Sequence, residues 1–117
     1  TISGKSTYNG GICGFAQNGT ITNCYVYANE NVNGQFIGYA SSTTLTKCYY
    51  DISKSTLALI KTSKSCTTNS NYIYKTNFTA TSDSIPVYQL LNQWIGNNTT
   101  YLQWKADTTL PAVFITQ

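Results

Sequence analysis

Histidine, arginine and methionine are missing from this chain, proline occurs only twice, and 9% of its 117 residues are charged. Each shortage excludes something. Histidine is the side chain that most often moves protons near neutral pH, and the four acids that remain, Glu30, Asp51, Asp83 and Asp107, are spaced 21, 32 and 24 residues apart without a motif. No catalytic residue stands out, and the chain reads as non-enzymatic. Arginine supplies the bidentate fork used on phosphates and bases, and the seven lysines behind the net charge of +3 are dispersed, so nucleic acid is excluded as a partner. The four cysteines, Cys13, Cys24, Cys48 and Cys66, are separated by 11, 24 and 18 residues, with no CxxC and no histidine to complete a zinc site. Neither metal nor cofactor is expected. No apolar run approaches the ~18 residues of a membrane helix; runs such as Leu57 to Ile60 have only a few residues. Membrane insertion is therefore not expected, and the first residues show no signal-peptide pattern.

What is present favours strands and turns. Hydrophobic residues make up 41% of the chain, enough for a core, and most of the rest is Ser, Thr, Asn, Gly and Tyr. Thr and Tyr suit pleated surfaces, whereas Asn and Gly suit corners.

The chain repeats itself. Residues 9–26, NGGICGFAQNGTITNCYV, align without a gap on residues 33–50, NGQFIGYASSTTLTKCYY, at an offset of 24. The alignment sets Asn9 on Asn33, Phe15 on Tyr39, Ile21 on Leu45, Cys24 on Cys48 and Tyr25 on Tyr49. Continued backwards, it sets Ile2 against Val26, so the chain opens partway through an earlier unit. Alternation places Ile12, Gly14 and Ala16 on one strand face, then Ile21 and Asn23 on one face of the next strand and Thr22, Cys24 and Val26 on the other. Two strands joined by a corner and returned through Asn-rich sequence make one circuit, which buries its inner face only when another is stacked on it. The expected fold is all-β: a short β-solenoid of about two 24-residue coils over residues 1–52. Stacked strands lie about 4.8 Å apart, so equivalent side chains form ladders. Ile21 with Leu45, Cys24 with Cys48 and Tyr25 with Tyr49 are the expected structural ladder. The cysteines read as buried thiols rather than a bridge, because in-register neighbours point the same way. Cys66 lies outside the repeat.

The segments GGICGFAQNGTITNCYV and FIGYASSTTLTKCYYD resemble the GLUG-type repeats of bacterial and some protist surface proteins. Gln35 stands where the family has its second glycine, and Ser42-Thr43 replaces the Asn-Gly corner, as in a degenerate last repeat. The resemblance implies a large, secreted or cell-surface, adhesive or matrix protein, with no catalytic residue in the repeats.

Residues 53–81 read as an irregular connecting segment with short strands, carrying one apolar cluster at Leu57, Leu59 and Ile60 and another at Tyr72, Ile73, Tyr74 and Phe78. Beyond it, Val87, Leu90, Leu91 and Trp94 form a helical stripe, with Asp83 or Ser84 as N-cap, Pro86 in the first turn and Gly96 at the stop. Trp94 is expected in the core. Tyr101 to Trp104 and Leu110 to Phe114 read as two strands around an Asp107 turn. Residues 82–117 would thus form a helix-plus-hairpin cap over the open end of the stack, where an exposed edge invites unwanted pairing.

The function expected from the sequence is a non-catalytic structural or adhesive segment of an extracellular or cell-surface protein. Its partner at the open N-terminal edge, around Ile2 to Tyr8, is either the upstream repeats of the same chain or another copy, the latter assembling end to end as a fibre. A second alternative is a carbohydrate-binding module that meets host or matrix glycan through exposed Tyr and Trp, with Tyr27, Tyr39 and Tyr101 as contact candidates. Asn18, Asn77, Asn97 and Asn98 begin N-glycosylation sequons.

Overall fold

A computed structural model describes residues 2–3, 10, 12–27, 30–31, 36–51, 60–74, 77–81 and 84–115. In chain order the elements are β1 (Ile2–Ser3), β2 (Cys13–Gln17), β3 (Thr20–Val26), β4 (Glu30–Asn31), β5 (Ile37–Ser41) and β6 (Thr44–Asp51). They continue with β7 (Ile60–Lys64), β8 (Thr67–Tyr74), β9 (Thr79–Ala80), α1 (Val87–Ile95), β10 (Trp104–Lys105) and β11 (Val113–Phe114). Among the described residues strands dominate, and α1 is the one helix. Parallel pairing dominates: β2, β5 and β7 form one sheet, and β3, β6 and β8 form another that ends in antiparallel β9.

The molecule is therefore built as three rows of paired strands. Between β2 and β3, between β5 and β6, and between β7 and β8, the chain turns through Asn18, Ser42 and Ser65, all in the left-handed region at φ 56, 49 and 56°. Asn tolerates that conformation better than most side chains, and Ser less so. Hydrogen bonds between rows hold the corners in place. Asn18 N donates to Ser41 O at 2.9 Å and Ser42 N to Lys64 O at 2.8 Å, while Thr44 N reaches Gly19 O and Thr67 N reaches Thr43 O, both at 3.0 Å. Cys66 follows the third corner as Thr43 follows the second, and each turns its side chain back to the carbonyl two residues earlier.

Register between the first two rows follows the 24-residue offset. Ile21 pairs with Leu45, Cys24 with Cys48 and Tyr25 with Tyr49. The alternation read from the sequence fails inside these strands, because Asn23 and Lys47 are left-handed at φ 59 and 55°. An extra residue of that kind works as a bulge and swings the chain by one position. Ile21, Cys24 and Val26 consequently share a face, although Ile21 and Cys24 were expected on opposite ones. The backward extension is corrected as well, since Ile2 pairs with Glu30 rather than Val26.

Two cores lie on the two sides of the four-stranded sheet. Between the sheets, Phe36, Ile37, Ala40, Leu45, Cys48 and Val26 are buried, with Cys13, Ala16, Ile60 and Cys66 packed against them. On the other side, Tyr49, Ile73, Ala80, Val87, Leu90, Leu91 and Ala112 form a second buried cluster that carries α1 and the β10–β11 hairpin. Each buried Val, Leu or Ile side chain there contributes about 1.5–3 kcal/mol relative to exposure.

Four further expectations are corrected. Residues 60–74, placed within an irregular connecting segment with short strands, form a regular third row at an offset of 23 from β5 and the start of β6. The helix and hairpin pack on a sheet face, whereas the edge of β8 is met by β9, which bridges in turn to Pro86. The helix N-cap is Pro86, with no side-chain cap bond, while Ser84 lies outside the helix and Asp83 outside the described residues. Ile95, not Trp94, completes the buried stripe, and Trp94 is 42% exposed. Asn9, Asn33, Leu57, Leu59 and most of the Ile2 to Tyr8 edge also lie outside the described residues.

Gly10 sits where a Cβ would fall 2.7 Å from Phe36 O and 2.8 Å from Gly38 N, both backbone atoms that cannot rotate away. At Gly19 an added Cβ meets nothing within 4 Å. Gly10→Ala should therefore lower stability by about 1–3 kcal/mol in urea unfolding, and Gly19→Ala by less than about 0.5 kcal/mol.

Candidate functional site

Beside β3 a cleft of about 990 Å3 opens to solvent between the strand and the C-terminal hairpin. From the sheet it is lined by Ile12 and by Thr22 to Tyr25, and from the other side by Trp94, Tyr101, Leu102, Trp104, Leu110 and Phe114. No lining residue is charged. Ile12, Trp94, Tyr101, Leu102, Leu110 and Phe114 are each between 40 and 49% exposed, so most of the large exposed apolar side chains among the described residues gather here.

Local contacts hold the rings in place. Trp104 and Phe114 face each other across the hairpin register and stack with centroids 4.1 Å apart, and Tyr25 meets the edge of Trp104 at 5.8 Å. The Tyr25 hydroxyl donates to Ala112 O at 2.6 Å and so ties β3 to the hairpin. Burial pushes the Tyr25 phenol above its ordinary value. Asn92 joins helix to hairpin twice: its Nδ2 donates to Trp104 O at 2.9 Å, and its Oδ1 accepts from Trp104 N at 2.8 Å. Trp94 and Tyr101 lean together at 5.3 Å. Asn23, 9% exposed, donates through Nδ2 to Leu91 O at 3.1 Å, which fixes the sense of its amide. Its Oδ1 is buried and accepts no hydrogen bond.

The three glycan-contact candidates are not brought together. Tyr101 lies in the cleft, Tyr39 stacks on Phe15 at 5.1 Å on the three-stranded sheet, and Tyr27 is half-buried edge-on to Phe78 at 5.6 Å. Burial, with Asp51 adding to it, raises the Tyr27 phenol above its ordinary value. Asn18, Asn77, Asn97 and Asn98 are all exposed. Reading from the sequence missed Trp104, Phe114, Asn23 and Asn92. Only the Trp104 and Phe114 pairing had a signal, because both fall in the segments assigned to the hairpin.

Asp107 accepts from Thr109 N, Thr109 Oγ1 and Leu110 N at 2.9–3.1 Å, which holds its carboxyl below the usual range and commits it to the hairpin turn. Among the described residues no three His, Cys, Asp or Glu side chains converge as a metal site, and no helix is long and apolar enough to cross a membrane. All four cysteines are free thiols. Cys48 Sγ donates to Ile21 O at 3.4 Å, and burial pushes its thiol up to about 11. The chain matches no protein-family model, no curated protein and no solved structure.

Two expectations follow. Asn92→Asp removes the donor to Trp104 O and places a carboxylate against it, so unfolding should become easier by about 1–3 kcal/mol, with changed tryptophan emission. The raised Cys48 thiol makes the folded state hold a proton that the unfolded chain releases near its ordinary value of 9.0. Its contribution is complete below about pH 9 and is lost as pH rises towards 11. Tm should fall over that interval. It should fall less in Cys48→Val, the difference isolating the thiol from Tyr25 and Tyr27.

Proposed function

We propose that this chain is a non-catalytic structural segment of an extracellular or cell-surface repeat protein of the GLUG type. Its three rows act as coils of a short β-solenoid, β9 and Pro86 meet the last row, and the helix and hairpin brace the sheet face. The observation that carries this reading is the difference between the two ends of the stack. Among the described residues, β3 pairs on one side only, with β6, leaving its other edge open along Thr20–Val26. At the far end, antiparallel β9 covers the last part of β8 and leads to Pro86, which has no N–H to offer a further strand. The last strand of the other sheet, β7, carries exposed Lys61 and Lys64, charges of the kind that keep an edge from pairing.

One end is thus open along a whole strand, whereas the other is met by β9 at Ile73 and Tyr74 and carries lysines along β7. That asymmetry weighs against a fibre of identical copies joined end to end, because a strand laid along all of β8 would meet β9 at Ile73 and Tyr74. It suits a terminal segment carried by the repeats before it, with adhesion or spacing as its task. The exposed sequon asparagines suit a glycosylated, extracellular setting, since added sugar would displace no core side chain.

The test is to lengthen the stack. Because Ile2 pairs with Glu30, a copy of residues 9–29 fused ahead of Ile2 keeps the register. The added row should raise Tm and protect the outward-facing β3 amides from hydrogen exchange, as in proteins stabilised by contacts between neighbouring repeats. An unprotected β3 and an extension that exchanges like free chain would contradict the reading. So would filaments of the unextended protein in negative stain.

A further inference from the structure

Resting on that reading, we infer that the aromatic cleft seats the next parallel strand above β3, the one preceding β1 in the polypeptide, and that this strand bears a large apolar side chain in the Tyr25 column. The strand is identified by chain order. β1 lies over β4, with Ile2 on Glu30 and Ser3 on Asn31. In the row below, the order is β2, β3, β4, so the β3 position of the β1 row belongs to residues ahead of Ile2.

The cleft lies along that edge and is continuous with the stack. Its sheet side is formed by Thr22 to Tyr25, and its opposite wall by side chains of the helix end and hairpin. In the column that faces this wall the first two rows carry rings: Tyr49 is 1% exposed in the second core, and Tyr25 above it touches Trp104 and Ala112. The hairpin thus extends past its own rows, and Trp94, Tyr101, Leu102 and Phe114 stand exposed where the next member of that column would lie.

A sugar fits the lining less well. Apart from the two tyrosines, only Thr22, Asn23 and Thr100 of the lining carry a hydroxyl or amide and no charge is present, so few groups are available to bond the many hydroxyls of a sugar. An unpaired strand edge roofed by rings matches the addition of a strand: main-chain hydrogen bonds supply attachment and side-chain pockets supply selectivity. The hairpin then clamps the preceding row and acts as more than a cover for its own.

Trp94 and Trp104 are the chain's two tryptophans and both line the cleft, so emission reports on it directly. In the chain extended by a copy of residues 9–29, emission should shift to the blue and the acrylamide quenching constant should fall by roughly half or more, as expected when indole rings are covered. Tyr25→Asp made only in the added copy should keep β3 protected from exchange while restoring quenching. Protected β3 amides with unchanged quenching would overturn the clamp and leave the stacked rows standing. Unprotected β3 amides would instead remove the stacking itself. A saturable emission shift of the unextended chain with chitohexaose or cellohexaose would overturn the assignment in favour of a glycan occupant.

Discussion

Parallel, in-register hydrogen bonding between β3 and β6 is the constraint from which the rest of the molecule is arranged. With Ile21 on Leu45, Cys24 on Cys48 and Tyr25 on Tyr49, like side chains of the first two rows occupy like columns, and the inward and outward positions of one match those of the other. The corners enforce the same spacing. Asn18, Ser42 and Ser65 adopt an unfavoured backbone conformation at equivalent points, sustained by hydrogen bonds from one row to its neighbour. A row taken alone would keep the strain of its corner and lose most of those bonds, which is why the rows belong to one cooperative unit.

The left-handed residues Asn23 and Lys47 convert this regular stack into a two-sided one. By swinging the strand, they send Ile21, Cys24 and Val26 inward together and turn Tyr25 and Tyr49 outward, where α1 and the hairpin find an apolar face. In the third row the extra residue is gone: Lys47 and Cys48 together stand opposite Ser70, and the pairing shifts there. The fold then ends through β9 and Pro86 instead of through another row. The neutral, hydrogen-bonded thiol of Cys48 fits this inner column as a small apolar group would.

Much of this was legible in the residues, and the failures have physical causes. The 24-residue offset between two near-copies identified the β3–β6 and β2–β5 pairs, because stacking selects for like beside like. The third row was not visible because its inward position opposite Leu45 is Thr68 and its register is one residue shorter, so both the apolar signal and the spacing are lost. The bulge had a trace in the sequence: apolar residues at Ile21, Cys24 and Val26 are spaced three and then two, which strict alternation does not allow. Trp94 was expected inside because it falls on the helical stripe. It lies at the helix's far end, beside the cleft, where Ile95 turns inward in its place. The cleft itself could not be read from the chain, since it brings β3 together with residues about 70 to 90 positions later.

The account stands most directly on the neighbourhood of Cys24 and Cys48. Nuclear Overhauser contacts between backbone protons of Thr22–Val26 and Thr46–Tyr50 would measure it in solution. Parallel pairing with Cys24 beside Cys48 predicts a continuous series of such contacts at the 24-residue offset. Contacts of Cys24 with a different segment, or an antiparallel series, would contradict the stacked rows and everything built upon them.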